Sequence, residues 1–350
     1  MRTCILPPDL LLELAHAGTG AQRSALLRTV ALDHSFRLMR AELVGRREVR
    51  APAVCGPGGG RPCREIFDQH HSTDPAPGTL VRSEGDDPVA DQSVNRAYDA
   101  FGSTYDLYWS VFGRDSIDNR GMTIQGLVHY GTDHDNAFWD GEGHMFFGDG
   151  DGQTLTDTTA GIDVIGHELT HGVTQHEANL TYSGQSGALN ESVSDVFGIM
   201  VKQRVLGQSA AESDWLIGAD IVGPTLAPAL RSMKAPGTAN KYDKQPATMD
   251  GYVRTATDNG GVHTNSGIPN HAFYVLATTL GGNTWDAPGR IWYATLTDPD
   301  LESSATFSQF AALTVAKAGE LFGAGSAEAQ ATTAAWDAVK VPLKATARHE

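Results

Sequence analysis

Apolar side chains in this chain recur mostly at helical spacing, with one clear interruption and one short stretch of strand-like alternation. Residues 8–17 and 21–47 predict two helices, the second marked by Leu26, Leu27, Val30, Leu38, Met39 and Leu43. The interruption follows: Ala51-Pro-Ala-Val-Cys-Gly-Pro-Gly-Gly-Gly-Arg-Pro62 holds too much Gly and Pro to pack regularly, and predicts a protease-sensitive linker. A helix from Val89 to Phe112 is predicted, with Val94, Ala97, Tyr98, Phe101, Tyr105 and Tyr108 on or near one face. Ile124, Leu127, Val128 and Tyr130 alternate enough for a strand over 122–130. The aromatic, glycine-rich run from Asn136 to Gly152 predicts strand edges and turns.

Two helices then carry the chemistry. Ile162, Val164, Ile165, Leu169 and Val173 form the apolar face of the first, and Asp163 suits its positive N-terminus. The second runs from about Ala188 to Val205, with Leu189, Val193, Val196, Phe197 and Met200 as its inward side. Beyond it the pattern stays mostly helical, including about 265–280, 286–297, 306–321 and 326–340. No internal repeat is present. The expected class is α+β: a β-containing lobe, a central helix and an α-rich lobe, with the site in the cleft between the lobes.

Composition narrows the function. A length of 350 residues allows one large or two moderate domains, and the net charge of −16 argues against nucleic acid as partner. Residues 1–50 carry eight Arg and five Asp or Glu, so this segment is +3 against −19 for the remainder. A basic N-terminal segment is expected to be drawn to an acidic body. No secretory signal is visible, because Pro7-Pro8 interrupts the first apolar residues and Asp9 and Glu13 follow. That leaves localisation open between the cytoplasm and export without such a signal. No apolar run reaches transmembrane length. Cys4, Cys55 and Cys63 fall in the first fifth of the chain, and unreactive thiols are favoured over a Cys55–Cys63 bridge.

His167-Glu168-Leu169-Thr170-His171 places two imidazoles four residues apart on one helical face, where both can hold a single metal ion. Glu168, beside the first ligand, is placed to act as base on the attacking water. Glu191 lies 20 residues beyond His171 and offers a third ligand. Two His and one carboxylate leave a fourth zinc position open, as a catalytic site requires. Asp195, four residues after Glu191, can accept the other N–H of a ligating histidine. Zinc is expected from the ligand types, although cobalt or manganese would also fit. The alternative pattern H-E-x-x-H-x-x-G-x-x-H fails, since Thr174 and Glu177 stand where it needs Gly and His. His176 lies off the ligand face and reads as a surface residue.

Over roughly residues 62–345 the chain resembles the thermolysin family of zinc metalloproteases. The matching segments are Asn136-Ala-Phe-Trp139, Gly148-Asp-Gly-Asp-Gly152, His167–His171, Gly187–Gly198, Leu230-Arg-Ser-Met233 and Asp258–Gly267. The resemblance implies a two-lobed fold, β-rich then α-helical, joined by the zinc helix. It implies that Tyr182 and His263, with Asp258 beside it, stabilise the oxyanion. It further implies that Asp195 orients His167 and that Arg231 binds the substrate carbonyl on the leaving-group side. Asn136 and the Ala137 backbone would hold the extended peptide. Val164, Ile217 and Leu230 would line the pocket after the cut, favouring bulky hydrophobic residues.

Departures from the family are informative too. Where it has a double-calcium site, this chain keeps Asp163 and Asp214 but has Lys202, Leu216 and Ala219, and a lysine opposes a divalent cation. Another family calcium loop has Pro228 where an Asp is expected, so calcium is expected to be weak or absent. The N-terminus resembles that of the protealysin-like subgroup, whose short propeptide opens with a similar Pro-Pro-x-Leu motif. This implies a helical propeptide over 1–50, cleaved between about 45 and 62, then catalytic lobes at 51–185 and 186–350.

The expected protein is a monomeric neutral endopeptidase made as a zymogen. Its partners would be peptide or protein substrates and its own propeptide as intramolecular inhibitor. An aminopeptidase would need an acidic anchor such as Gly-x-Met-Glu-Asn, which is absent. A catalytically silent binding module is the remaining alternative, against which base and ligands are intact.

Overall fold

The computed structural model describes residues 3–43 and 59–343, with side chains from 4–34 and 59–343. Leu38, Met39 and Leu43, the expected helix beyond 43, Cys55 and most of the expected cleavage region therefore lie outside the described side chains or residues. The chain forms two compact units: one holds the described residues to Gly172 with Gly218–Ala229, the other Val173–Ile217 and everything described from Leu230 on.

The first unit is built on a mixed six-stranded sheet. In chain order it contains β1 (Thr3–Cys4), α1 (Pro8–Ala17), α2 (Gly20–Leu43), β2 (Arg64–Asp68), β3 (Thr79–Ser83), α3 (Gln92–Phe112), β4 (Ile124–Val128), β5 (Ala137–Trp139) and β6 (His144–Phe147). Strand order is β1-β5-β6-β4-β2-β3. The pairs β2–β4 and β4–β6 are parallel, whereas β1–β5, β5–β6 and β2–β3 are antiparallel. β5 thus has β6 on one side and only the two-residue β1 on the other.

Local chemistry explains these boundaries. Pro8 opens α1 where a missing N–H costs nothing. Asp91 caps α3 by accepting from the amides of Ser93 and Val94, and Gly113 ends it with φ 69°. Cys4, Leu127, Tyr130, Phe138 and Phe146 form one buried cluster in which the Phe138 and Phe146 rings stack at 4.6 Å. Cys4 is a free thiol donating to Leu6 O at 3.2 Å. Cys63 is disulfide-bonded, which corrects the reading of unreactive thiols for that residue. Arg28 of α2 pairs with Asp133 at 2.9 Å, one contact of the basic segment with the acidic body.

α4 (Ile162–His176) contains the division between the units, after Gly172. The second unit then has α5 (Gly184–Leu206), β7 (Leu216–Ile217), β8 (Arg231–Ser232), α6 (Asp258–Asn265), α7 (Gly267–Leu280), α8 (Ala287–Leu296), α9 (Phe307–Phe322) and α10 (Ala327–Ala338). The sequence assigned α5 a single inward side. In the structure every residue from Ser186 to Gln203 is buried, because α6, α7, α8 and α9 pack around it. Polar residues on α5 therefore face protein, and each needs a partner. Trp292 and Trp336 stack at 5.9 Å within this unit. No described helix is long and apolar enough to cross a membrane.

Candidate active site

α4 brings His167 and His171 together through its own pitch. Their rings lie 4.6 Å apart at 88°, with the two Nε2 atoms separated by 3.0 Å. Asp163 anchors the start of the helix by accepting from the amides of Val164 and Gly218, both at 2.9 Å. His167, His171 and Glu191 of α5 are buried, and each offers one ligand atom within 4.8 Å of the others. The donor set fits zinc. Two nitrogens at ~2.05 Å from a tetrahedral ion would be roughly 3.3 Å apart, close to the separation observed. His176 is exposed at the end of α4, as expected for a residue off the ligand face.

Glu168 is buried, and its Oε2 accepts from the Trp139 amide of β5 at 3.0 Å. That bond fixes a carboxylate oxygen relative to the strand whose first residue follows Asn136. Asn136 is fully buried. Its Oδ1 accepts from the amides of Leu6 and Ala137, both at 3.1 Å, and its Nδ2 donates to Leu6 O at 3.2 Å and Asp33 Oδ2 at 2.9 Å. The Ala137 carbonyl accepts from Ile5 N at 3.1 Å. Both groups matched to peptide binding are therefore engaged by the N-terminal segment.

A second group gathers from α5, the residue pair just before it and α6. The Tyr182 hydroxyl donates to Glu191 Oε1 and lies 3.3 Å from His263 Nε2. His263 Nε2 is 3.5 Å from Glu191 Oε2, and its Nδ1 is 2.7 Å from Asp258 Oδ1. The preceding backbone is left-handed at Asp258, Asn259, Gly260 and Gly261 (φ 48°, 49°, 90° and 78°). This turn folds the Asp258 carboxylate back onto the amide and the ring of His263. Two consecutive glycines make such a turn accessible. Burial disfavours charge on His263, but Asp258 and Glu191 outweigh it and raise its pKa to about 10.

Arg231 and Asp195 form a buried fork, with Nε to Oδ2 at 2.8 Å and Nη2 to Oδ1 at 2.9 Å. Burial again opposes charge, and Asp195 and then Glu191 more than compensate, so the guanidinium pKa is raised. Asn270, which sequence reasoning missed, donates to the same Asp195 Oδ2 at 2.8 Å. Val164 is buried on α4; Ile217 and Leu230 are also buried, and the Leu230 amide donates to Ile217 O at 3.0 Å. Leu6 and Asp33 were likewise missed as partners of the peptide-binding groups. Nothing in their local sequence signals contacts made more than a hundred residues away.

Comparison with known proteins agrees with this geometry. Residues 60–175 match the family model of the thermolysin metallopeptidase catalytic domain, and residues 178–341 match that of the thermolysin metallopeptidase alpha-helical domain. An extracellular metalloprotease of Pectobacterium carotovorum subsp. carotovorum is 43% identical over 97% of this chain and 96% of its own length. Protease PrtS of Photorhabdus sp. (strain Az29) is 47% identical over 80% of this chain and 77% of its own. Among solved structures, the precursor of protealysin, a metalloproteinase from Serratia proteamaculans, superposes with a TM-score of 0.87 and 44% identity. That match covers 97% of this chain and 99% of the precursor. With the catalytic and the alpha-helical domain models both matched and a precursor aligned almost end to end, the chain belongs to the thermolysin family of metallopeptidases, in the precursor form of the protealysin type.

Proposed function

We propose that this zinc-dependent endopeptidase holds one catalytic zinc ion through His167, His171 and Glu191 and uses Glu168 as its general base. The observation that carries the reading is the convergence of three buried ligand atoms, two of them from the helix that also presents Glu168 and one from α5. When bound, zinc supplies Lewis acidity toward the scissile carbonyl and lowers the pKa of water from ~15.7 to about 7. Glu168, steadied by the Trp139 amide, takes the proton of the attacking water and returns it to the departing amine. Protonated His263 and the Tyr182 hydroxyl donate where negative charge develops on the carbonyl oxygen, each worth ~3–4 kcal/mol when well aimed. Asp258 keeps His263 oriented and charged. Asp195 orients His167, and Arg231, braced by Asp195, holds the substrate carbonyl on the leaving-group side. Asn136 and Ala137 hold the extended peptide. Val164, Ile217 and Leu230, all buried and apolar, are assigned to recognition of a bulky hydrophobic residue after the cut.

In this reading residues 1–50 are an inhibitory propeptide, removed by cleavage between about 45 and 62 to leave lobes at 51–185 and 186–350. The support is that β1, Ile5 and Leu6 occupy β5 and Asn136 with strand-like hydrogen bonds, as an extended substrate would. Pro7 and Pro8 follow at once and lack amide protons, which disfavours productive binding there. Calcium has no part in this account. The Lys202 ammonium donates to Leu216 O at 3.2 Å and lies 3.7 Å from Asp214, so a cation is already built into that cluster. Incubating the purified protein with an internally quenched peptide tests the reading. Hydrolysis abolished by a chelator and restored by zinc is expected. Cleavage indifferent to chelation would refute the metal's role, and absence of cleavage after loss of the leader would favour a binding module.

A further inference from the structure

His129, directly after β4, stands between two carboxylates. Its Nδ1 lies 2.9 and 3.1 Å from the two oxygens of Asp149, and its Nε2 lies 2.8 Å from Asp91 Oδ2. A neutral imidazole has one N–H and one lone pair, so it satisfies one carboxylate and turns the lone pair on the other. Only the imidazolium donates to both. The backbone that aims the ring is left-handed, with φ 56°, a conformation uncommon outside glycine. Asp149 raises the pKa of His129 most, burial opposes, and Asp91 adds to the rise, which brings it to about 9. Among the described residues, the remaining titratable group beside the ring is His71, in the turn after β2. Its ring is 5.8 Å away, and its Nδ1 lies 3.2 Å from Gly131 O and 3.4 Å from Asp149 Oδ2.

The three charged groups tie together separate segments of the sheet unit. Asp91 caps α3 through Oδ1 and meets His129 through Oδ2. His129 O accepts from His71 N at 2.9 Å, which joins the end of β4 to the turn after β2. Asp149 lies in the loop after β6, and its two neighbours grip the segment matched to peptide binding. Gly148 N donates to Asn136 O at 3.1 Å, and Gly150 N donates to His134 O at 3.2 Å. A side chain at Gly148 would meet His134 O at 2.1 Å, so the two backbones touch directly. Thr158 also holds this loop, through its amide and hydroxyl on Gly148 O, but neither bond depends on a titratable group.

We propose that the His129 imidazolium is a proton-dependent lock: it draws Asp91 and Asp149 together, holds loop 148–150 behind Asn136, and releases that hold when it loses its proton at alkaline pH. The link to peptide binding rests on the reading that gives Asn136 to the extended substrate. The lock itself does not. The folded chain holds this proton more tightly than the unfolded chain, in which a histidine titrates near ~6.5. Its stabilisation is therefore complete below ~6.5 and is lost as pH rises through about 9.

The test uses His129→Gln, which removes the charge and keeps one amide donor. Imidazole NMR of the zinc-loaded Glu168→Gln chain, in which self-digestion is blocked, should show His129 titrating above roughly pH 8, assigned by the resonance that His129→Gln removes. Titration at or below about pH 7 would overturn the lock. In the same background, His129→Gln should lower Tm by about 2–4 °C near neutrality. That gap should close above roughly pH 10. A gap of constant size would overturn the proposal, because a packing defect does not titrate. If His129→Gln fails to fold, Asp149→Asn takes its place: it should lower the His129 titration by about one pH unit or more, and an unmoved titration would overturn the lock. In the matured enzyme, His129→Gln should raise KM about threefold at pH 7 with kcat changed less than about twofold, and the parent should converge on it above roughly pH 10. Equal KM in both chains at every pH would overturn the hold on Asn136. Asn136→Ala in the same assay separates the two failures, since an unchanged KM there would fault the reading of Asn136 instead.

Discussion

Asn136 and Asp195 are both buried polar side chains of the site, and both have their hydrogen bonds filled, but by different kinds of partner. Three of the four bonds on Asn136 come from Leu6 and Asp33, in the segment assigned to removal. Asp195 accepts from Arg231 and Asn270, both within the helical unit. A buried polar group must be satisfied in whatever state it occupies. Asn136 exchanges its partners when the leader departs, and an extended peptide offers the same N–H and C=O pair that Leu6 does. Arg231 and Asn270 both lie outside the leader, so Asp195 keeps them when it departs. In the proposed function, latency depends on the partners that leave.

Substitutions separate the two. Glu168→Gln should retain zinc and lower turnover by ~100- to 10,000-fold, since the ligands survive and the base does not. Kinetics with metal analysis checks this, and near-parental hydrolysis would count against the assignment. Asp195→Ala strands a buried guanidinium, which is expected to cost about 3–5 kcal/mol and on the order of 10 °C in Tm for the matured enzyme. A shift below roughly 2 °C would mean that the pair is not a fixed support. Asp33→Ala acts on the removable side only. It should leave the matured enzyme unchanged while speeding conversion of the precursor by about tenfold, the scale of one lost charge-assisted bond. Unchanged conversion, followed by gel densitometry, would show that Asp33 does not hold the leader. The smallest effect is expected from a calcium-selective chelator: with the Lys202 ammonium on Leu216 O, Tm should move by less than ~2 °C. A large drop would reveal a calcium site.

These differences mirror what the sequence could express. His167, Glu168 and His171 were legible because a helix brings residues four apart together without help from the rest of the fold. Asp258 and His263 are five apart, yet their contact depends on a left-handed turn, and their roles came from family resemblance rather than pattern. Asn270 and Asp33 were not legible. Each is a single polar residue in a helix, and its partner is 75 or 103 positions away. β2 and β3 were missed for a related reason. Arg82 is buried with its guanidinium 3.7 Å from the Tyr98 ring, and Arg64 pairs with Glu84 at 2.6 Å, so these two arginines read as solvent-facing when they are not. Likewise the single inward side read for α5 understates its burial, because every residue from Ser186 to Gln203 is covered.

The central claim is that one zinc peptidase site is both the agent of maturation and the place the leader occupies. Expressing Glu168→Ala beside the parent and weighing both by mass spectrometry tests it most directly. The account predicts an uncut variant at 37.3 kDa and a shortened, active parent that has lost roughly its first 45–62 residues. Full peptidase activity in a parent chain of intact mass would contradict it.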